Sequence, residues 1–387
     1  MRAGDEIVLA GAVRTPIGNF QGVFKDRKAT ELGAAVLGES LRRTGLDGQS
    51  ISEVLMGCVL PAGLGQAPAR QAAMGGGLPQ SVPSTTISKV CGSGMKAIAV
   101  AADAVAAGNA DLVLAGGMES MTNAPYLLAK ARSGYRAGHD KIYDHMFLDG
   151  LEDAYESGRS MGTFAEATAD HFGFTRAEQD AFATASLMRA LAAGNEGRFA
   201  AEIIAVDGVD RDEQPGRAKP EKIPLLKPAF RADGTVTAAN SSSISDGAAA
   251  LLVTRRSVTE ERGIAHSAVL RGVAQHAQAP AWFTTAPVSA ISKLLDKVGW
   301  AVGDVDLFEI NEAFAVVVLA AMRELGLPHD KVNVNGGAGA LGHPIGCSGA
   351  RIVVTLLHAL EARGLKRGVA AICIGGGEAL ALAVERP

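Results

Sequence analysis

The sequence has few of the features that mark a specialised class of protein. Aromatic residues make up only 5% of its 387 residues, and its four cysteines lie far apart with no Cys-x-x-Cys pair. A disulfide framework or a zinc ribbon is therefore not expected, and we predict no bound metal. No uninterrupted apolar run reaches membrane-spanning length, and the N-terminus lacks a hydrophobic secretory core. These absences favour free thiols in a reducing interior and predict a cytoplasmic protein.

An excess of charge of one sign is also lacking. The net charge is only −4 at pH 7, so no global field favours binding to a nucleic acid or an anionic membrane. We therefore expect no nucleic-acid partner and no membrane partner. An anionic ligand would have to be held by local groups.

Glycine and small apolar residues are abundant instead. The chain has 47 glycines and 48% apolar residues, a composition that suits tightly packed α/β layers. Strand-like runs alternate with Ala-rich helical runs at both ends of the chain, whereas the middle is polar and irregular. We therefore predict an N-terminal core half (1–119 plus 245–266), an inserted loop domain (120–244) and a C-terminal core half (267–387).

The two outer stretches resemble each other. In the first, a strand at Ser84–Val90 is followed by a small-residue turn, a helix, a strand and Gly116-Gly117. In the second, a strand at Lys331–Val334 is followed by the same series, which ends at Gly375–Gly377. Five matched elements in one order predict a duplicated fold. Each half would then direct one strand-to-helix turn at a shared cleft, where open α/β sheets bind their ligands.

Cys91 is the first candidate for chemistry. It ends a predicted strand and is followed by Gly-Ser-Gly and a helix. A thiol at a helix N-terminus feels the positive end of the helix dipole, which favours the thiolate, and the free N–H groups there can hold an oxyanion. The alternative is a small buried cysteine of the core, which is the commoner fate of this residue.

A glycine-rich segment, residues 335–349, carries the second candidate. A G-x-G-x-x-G pattern over Gly337–Gly342 raises a dinucleotide site as an alternative, but no acidic residue closes a following strand and His343-Pro344 interrupts the motif. A proline restricts the backbone of the residue before it, which fixes the direction of the His343 imidazole. His343 is thus either a catalytic base or a structural loop histidine.

Two further segments carry candidates. Cys373 ends the last apolar strand, and Gly375 can present its backbone N–H to a cleft; a tight turn with Cys373 as filler is the alternative. Asn311 suits the N-cap of the helix that follows, with Glu312 in its first turn, but its amide could also hold a water. Two thiols, an imidazole and several N–H donors are together the components of acyl transfer.

Four segments of the chain resemble the active-site segments of the thiolase family. Their order and spacing fit, and the resemblance runs from Val8 to Val384. It implies a duplicated fold with the layers α/β/α/β/α. The four segments are Ser88–Gly94, Asn311–Phe314, Gly342–Pro344 and Cys373–Gly377.

The resemblance also implies a role for each catalytic candidate. It makes Cys91 the acylated nucleophile, His343 the group that activates it, and Cys373 an acid/base. One oxyanion hole would consist of the N–H groups of Cys91 and Gly375, and the other of His343 and a water on Asn311. Preorganised donors of this kind are each worth about 10²–10³ in rate.

A channel for the pantetheine arm of coenzyme A is implied as well, lined by the inserted stretch. Arg217, with neighbouring lysines, could meet the phosphates of the nucleotide, although a solvated loop is the alternative. The chain departs from the family pattern at Ser160, Phe283 and Glu378, and the first two lie near the implied acyl and pantetheine path. The positions that match the channel of the family are Leu151, Met161, Leu226, Phe230, Ala238, Ser242, Ala313 and Phe314.

We therefore expect an acyltransferase that condenses two acetyl-CoA molecules through an acyl-cysteine. No cofactor is expected, because coenzyme A thioesters are the substrates. A 3-ketoacyl-CoA thiolase of broader range is the alternative within the family, and an NAD-dependent oxidoreductase or an inactive CoA-binding protein are alternatives outside it. The resemblance implies a homodimer or a homotetramer built as a dimer of dimers.

Overall fold

Strands and helices alternate at both ends of the chain in the computed structural model, which describes residues 5–387. The strands are Ile7–Arg14 (β1), Gly18–Asn19 (β2), Glu53–Gly57 (β3), Ser84–Ile87 (β4), Leu112–Ser120 (β5), Tyr126–Leu127 (β6), Tyr143–Asp144 (β7), Ser245–Arg255 (β8), His266–Ala277 (β9), Leu307–Ile310 (β10), Arg367–Ile374 (β11) and Glu378–Glu385 (β12). The helices are Ala29–Thr44 (α1), Pro68–Gly75 (α2), Ser93–Ala106 (α3), Met161–Phe172 (α4), Arg176–Asn195 (α5), Glu213–Arg217 (α6), Arg256–Arg262 (α7), Ala286–Val298 (α8), Ala315–Leu325 (α9), Ala338–Leu341 (α10) and Ile345–Arg363 (α11).

Most of the strands form one mixed sheet in the order β10-β11-β12-β9-β1-β8-β5-β3-β4, with β2 beside β8. In the N-terminal part β3 runs parallel to β4 and β5, and β5 is antiparallel to β8. In the C-terminal part β10 runs parallel to β11, which is antiparallel to β12. The two parts meet where β1 pairs with β9 over Val8–Ala10. Each part therefore repeats the same strand arrangement, as a duplicated fold requires.

The helices form three layers, which alternate with the N-terminal and C-terminal parts of the sheet. One core cluster contains residues of α3 and α11 together with strand residues from both parts, so these two helices form a central layer. A second cluster places α1 and α2 against the N-terminal strands, and a third places α8 and α9 against the C-terminal strands. The predicted α/β/α/β/α layering is confirmed.

Glycines let the two central helices approach each other closely. A Cβ added at Gly94 would lie 2.7 Å from the backbone nitrogen of Ala350, and one added at Gly349 would lie 2.5 Å from the backbone nitrogen of Met95. No side chain fits at such distances, because close-packed interiors leave no room for an extra methyl group. The Ser-Gly pairs of the sequence therefore mark the point where α3 and α11 cross.

Helix α11 is long and apolar enough to cross a membrane by length and composition. It lies in the central layer, however, and 83% of its most apolar window is buried inside the protein. Its apolar character is explained by packing on both sides.

Helix α5 begins as the sequence predicts. The Thr175 side chain accepts a hydrogen bond from the Glu178 N–H at 3.2 Å, and the Glu178 carboxylate accepts one from the Thr175 N–H at 2.7 Å. This is the reciprocal capping box expected from the two residues.

Two predicted elements are wrong. The strand expected at Lys331–Val334 is reduced to one bridge between Val332 and Phe308, because Asn333 takes a positive φ of 48° and turns the chain away from the sheet. Gly116-Gly117 lies inside β5 rather than after it, so it does not correspond to the turn at Gly375–Gly377. The division of the chain into two halves and an insertion stays a prediction, although β8, from beyond the insertion, lies between β1 and β5.

Candidate active site

Cys91 lies on a sharp turn between β4 and α3. Val90 has a positive φ of 44°, which is a strained conformation for a β-branched residue. The Ser93 hydroxyl stabilises the turn: it donates to the Val90 carbonyl at 2.7 Å and accepts from the Lys89 N–H at 2.8 Å. The strain is thus held by local bonds, and it presents a half-buried thiol beside the start of a helix.

Backbone N–H groups of Cys91 and Gly375 are directed at the Cys91 sulfur. Burial nevertheless raises the pKa of the Cys91 thiol to about 11, and these two N–H groups lower it only in part. The N–H groups thus favour the thiolate, as expected, but burial outweighs them. A base has to remove the proton.

Cys373 is the penultimate residue of β11 and is completely buried. Its thiol pKa is raised by burial and then by a negative charge on Cys91, which places the two sulfurs in each other's field. The structure therefore brings Cys91, from the predicted N-terminal half, together with Cys373 and Gly375, from the predicted C-terminal half.

His343 is held by one nitrogen and free at the other. Its Nδ1 lies 2.5 Å from the Ser348 hydroxyl, which itself donates to the Pro344 carbonyl at 2.9 Å. Nδ1 must therefore carry the hydrogen, and Nε2 is a buried acceptor with no hydrogen-bond partner among residues 5–387. Burial, and then the positive charge of Arg351, lower the pKa of His343 to about 3, so the imidazole is neutral near pH 7.

Asn311 is not a helix cap. Helix α9 begins at Ala315, and Asn311 is completely buried ahead of it. Its side-chain oxygen and nitrogen both lack a hydrogen-bond partner in the part of the chain that the structure describes. Since buried polar groups are nearly always paired, this amide is set to hold a water or a ligand atom.

Glu312 does not lie in the first turn of α9 either. Its buried carboxylate accepts hydrogen bonds from the Ser186 hydroxyl (2.8 Å), the Asn333 amide (2.8 Å) and the Gly339 N–H (2.9 Å). The G-x-G-x-x-G loop thus surrounds an internal carboxylate. The N–H groups that a pyrophosphate would need are already used, which removes the basis for a dinucleotide site.

A short segment connects the turns that carry the candidates Asn311 and His343. The Ser242 N–H and hydroxyl both donate to the Ala313 carbonyl, at 3.0 and 3.1 Å. The next residue, Ser243, accepts from the His343 N–H at 3.1 Å. Ser242 and Ala313 therefore lie between the Asn311 and His343 segments.

Two apolar clusters form the walls of the site. Cys373 belongs to one that contains five residues predicted to bind substrate, and Cys91 packs against another that includes Leu151 and Ile345. The five are Met161, Phe230, Phe283, Ala313 and Phe314.

A cavity of about 430 Å³ opens on the same side as the segment that holds His343. It is lined by Arg217, Leu226 and Ala238, all predicted to bind substrate, and it reaches Ser243. Two cationic side chains of the same stretch, Lys219 and Lys222, also line it. It thus combines an apolar wall with a basic rim but contains none of the five catalytic candidates.

Two of the departures from the family pattern have a structural role. Ser160 caps α4, and its hydroxyl accepts from the Gly162 N–H at 3.3 Å. Phe283 is buried and packs edge-on against Phe164, with ring centroids 6.2 Å apart. The bulky Phe283 therefore fills space in the apolar wall beside Cys373.

Glu119 was missed by sequence reasoning. Its buried carboxylate accepts from the N–H groups of Val59 (2.9 Å), Leu60 (3.2 Å) and Gly346 (2.9 Å). Burial raises its pKa to about 7, and its charge acts on Cys91. A buried acidic residue at the end of an apolar strand was the only signal.

No group of three or more His, Cys, Asp or Glu side chains within residues 5–387 is arranged to hold a metal ion.

Comparisons with known proteins agree with this geometry. Residues 7–257 match the thiolase N-terminal domain, and residues 264–386 match the thiolase C-terminal domain. The chain therefore belongs to the thiolase family. It is 48% identical to an acetyl-CoA acetyltransferase of Pseudomonas aeruginosa, with 98% of this chain and 99% of the relative covered. It is 46% identical to a probable acetyl-CoA acyltransferase of Staphylococcus aureus, with 98% and 99% covered. A crystal structure of an Ascaris suum thiolase in complex with coenzyme A matches with a TM-score of 0.95 and 43% identity, over 99% of this chain and 100% of that one.

Proposed function

We propose that this thiolase is an acetyl-CoA C-acetyltransferase, which reversibly condenses two acetyl-CoA molecules to acetoacetyl-CoA and coenzyme A. The observation that carries the proposal is the pairing of two thiols, Cys91 and Cys373, with the Gly375 N–H directed at the Cys91 sulfur. The name of the Pseudomonas aeruginosa relative supports it.

In the first step, the Cys91 sulfur attacks the thioester carbonyl of acetyl-CoA while Nε2 of His343 takes the thiol proton. The negative charge on the carbonyl oxygen is held by the N–H groups of Cys91 and Gly375, which are fixed before the reaction. The tetrahedral intermediate then expels coenzyme A as a thiolate, which takes a proton from the Cys373 thiol, so that Cys373 becomes a thiolate and Nε2 of His343 keeps its proton. The products are acetyl-Cys91 and coenzyme A.

In the second step, the Cys373 thiolate removes a proton from the methyl group of the second acetyl-CoA. The enolate oxygen is held by His343 and by a water on the unpaired amide of Asn311. The enolate carbon attacks the acetyl group, and the Cys91 sulfur leaves and recovers its proton from Nε2 of His343, while Cys373 keeps the methyl proton. Acyl-Cys91 cannot become a thiolate, so no charge on Cys91 opposes the ionisation of Cys373 at this stage.

The cavity lined by Arg217, Leu226 and Ala238 is proposed to take the coenzyme A arm. Its apolar wall suits pantetheine, and its cationic rim suits the phosphates of the nucleotide. The thioester would pass Ser242 and Ala313 to reach Cys91. No cofactor is needed for these steps, because the thiols, the imidazole and the N–H donors carry all of the charge and proton transfers.

The test is acetyl transfer to Cys91. Intact-mass spectrometry after mixing with acetyl-CoA is expected to show a gain of one acetyl group, and Cys91→Ser is expected to abolish both this gain and acetoacetyl-CoA thiolysis. A wild-type protein that gains no acetyl group would refute the enzyme assignment, and would leave an inactive CoA-binding protein.

A second candidate function is a 3-ketoacyl-CoA thiolase of broader range, which the name of the Staphylococcus aureus relative favours. Phe283 bears on the choice, because a large ring in the wall beside Cys373 limits the room for a long acyl chain. We expect kcat/KM for acetoacetyl-CoA to exceed that for a C8–C16 3-ketoacyl-CoA. The reverse order would favour the second candidate.

We also propose a homodimer that pairs into a homotetramer. Apolar side chains on and beside the β6–β7 hairpin are exposed, among them Tyr126 (69%), Leu128 (52%) and Ile142 (64%). A patch of this kind commonly marks an interface. Light scattering is expected to give the mass of four chains, and Tyr126→Ser with Ile142→Ser is expected to give two.

A further inference from the structure

An ion pair links the two turns that carry the reacting groups. Lys89 lies two residues before Cys91, and its ammonium group pairs with the carboxylate of Glu378. Glu378 is the first residue of β12 and directly follows the turn at Gly375–Gly377. The two side chains are 21% and 37% exposed, so the pair lies at the rim of the site rather than inside it.

The turn that carries the Gly375 N–H is fixed at its far end, where the Gly377 carbonyl accepts from the Gln278 N–H at 2.8 Å and the β11–β12 ladder closes at Glu378, but it is loosely packed around Gly375 itself. Gly376 and Gly377 have φ values of 92° and 89°, and glycine adopts many backbone conformations at low cost. A Cβ at Gly375 would touch only Met161, at 3.6 Å, and Val90, at 3.7 Å. The position of this N–H therefore depends on how the ends of the turn are anchored.

The turn at Cys91, by contrast, is firmly held near the reacting group. Val90 is strained, and the Ser93 hydroxyl holds the Lys89 N–H, so the backbone of Lys89 is well placed. Gly92 packs directly on the strand before the glycine turn, since a Cβ there would lie 2.4 Å from the Ile374 side chain. The ion pair from Lys89 to Glu378 thus links the well-placed turn at Cys91 to the end of the glycine turn.

We infer that Lys89 and Glu378 are positioning residues, which hold the Gly375 N–H against the Cys91 sulfur and therefore against the oxygen of the thioester under attack. The inference rests on the proposed function, because the N–H matters to turnover only if a thioester reacts at Cys91. Neither side chain touches the reacting atoms. An exposed ion pair adds little to global stability, but small displacements of a catalytic donor are costly in rate.

The variants Glu378→Gln and Lys89→Met test the pair, because each removes one charge at nearly constant size. We expect kcat for acetoacetyl-CoA thiolysis to fall about tenfold, with KM within about twofold, since the donor acts on the transition state. Alkylation of Cys91 by iodoacetamide is expected to need a higher pH, because the Gly375 N–H lowers the pKa of the thiol. Glu119 also acts on this thiol, and it is unchanged in these variants.

The double variant Lys89→Glu/Glu378→Lys reverses the pair and is expected to restore most of the lost kcat. Glu196→Gln is the matched control, because Glu196 forms a partly exposed ion pair with Arg198 away from the site; it is expected to behave as wild type. The inference is overturned if Glu378→Gln and Lys89→Met keep wild-type kcat and alkylation profiles, or if the reversed pair recovers nothing. Failure of the proposed function would look different, since the wild-type protein would then gain no acetyl group.

Discussion

A serine hydroxyl near the start of α3 and an equivalent one near the start of α11 bind different partners. Ser93 and Ser348 each precede a glycine at the crossing of the central helices. The Ser93 hydroxyl binds the backbone at Lys89 and Val90, whereas the Ser348 hydroxyl binds the imidazole of His343. A cysteine side chain is short, so its backbone has to be fixed. A histidine also needs its ring oriented and its tautomer set.

The strand ends of the two halves differ in the same instructive way. Glu119 and Cys373 each lie one residue before the end of their strand, in the second-last pair of the ladder with β8 or β12. Both are buried acids with a raised pKa, and both act on or feel Cys91. Glu119 organises backbone N–H groups, whereas Cys373 is proposed to move a proton. Duplication thus supplied matching positions that took on different chemistry.

The largest effect is a loss of activity, expected when the imidazole of His343, which Ser348 holds, is removed. His343→Asn should lower kcat/KM for thiolysis about 10³-fold, the usual contribution of a general base. The neutral imidazole is the acceptor for a Cys91 proton whose pKa is raised to about 11. Steady-state kinetics and the rate of acetyl transfer measure the loss, and a loss below tenfold would contradict the role of His343.

The next largest effect is expected at the crossing of α3 and α11, where both Ser-Gly pairs lie. Gly94→Ala and Gly349→Ala should each lower the free energy of unfolding by about 3 kcal/mol, since the new methyl group meets backbone atoms. Gly194→Ala in α5, with nothing within 4 Å of its added Cβ, should instead raise stability by about 0.5 kcal/mol. Denaturant unfolding compares the three; equal effects would argue against the close crossing.

Replacing the two serines is expected to affect different properties, activity for Ser348 and stability for Ser93. Ser348→Ala is expected to lower kcat/KM by about 30-fold, because the Nδ1 tautomer of His343 loses its partner. Ser93→Ala is expected to lower the free energy of unfolding by about 1–2 kcal/mol, through the loss of two hydrogen bonds that hold a strained turn. If both variants lost activity and stability alike, the proposed division of labour would not hold.

The smallest effect concerns the pH dependence of stability. The folded pKa of Glu119, about 7, lies above its ordinary value of 4.5. Its contribution to stability is therefore fully present below pH 4.5 and is lost as the pH rises through 7. Glu119→Gln should flatten this loss by on the order of 1–2 kcal/mol in unfolding titrations between pH 4.5 and 7. A slope identical to that of wild type would show that Glu119 stays ionised throughout.

Sequence reasoning succeeded where a local pattern determines the result. The strand-to-helix alternation predicts an α/β fold, and the capping box at Thr175 is visible in four residues. Cys91 and His343 became candidates because each is a reactive side chain beside small residues in a turn before a helix, and their catalytic roles stay predictions.

Sequence reasoning failed where long-range contacts decide. Asn311 has the composition of a cap, yet α9 starts later because Glu312 turns back to bind Gly339. The effect of burial on the Cys91 thiol depends on residues from both halves. The Lys89–Glu378 pair joins positions 289 residues apart, which no local pattern reveals.

The shared central layer has a consequence for how the chain can be divided. Since α3 and α11 are buried between strands of both parts, a fragment ending near residue 257 would leave a whole apolar face of α3 open to water. Such a fragment is an aggregation hazard rather than a half-sized protein. Engineered splitting or permutation therefore has to keep both helices in one molecule.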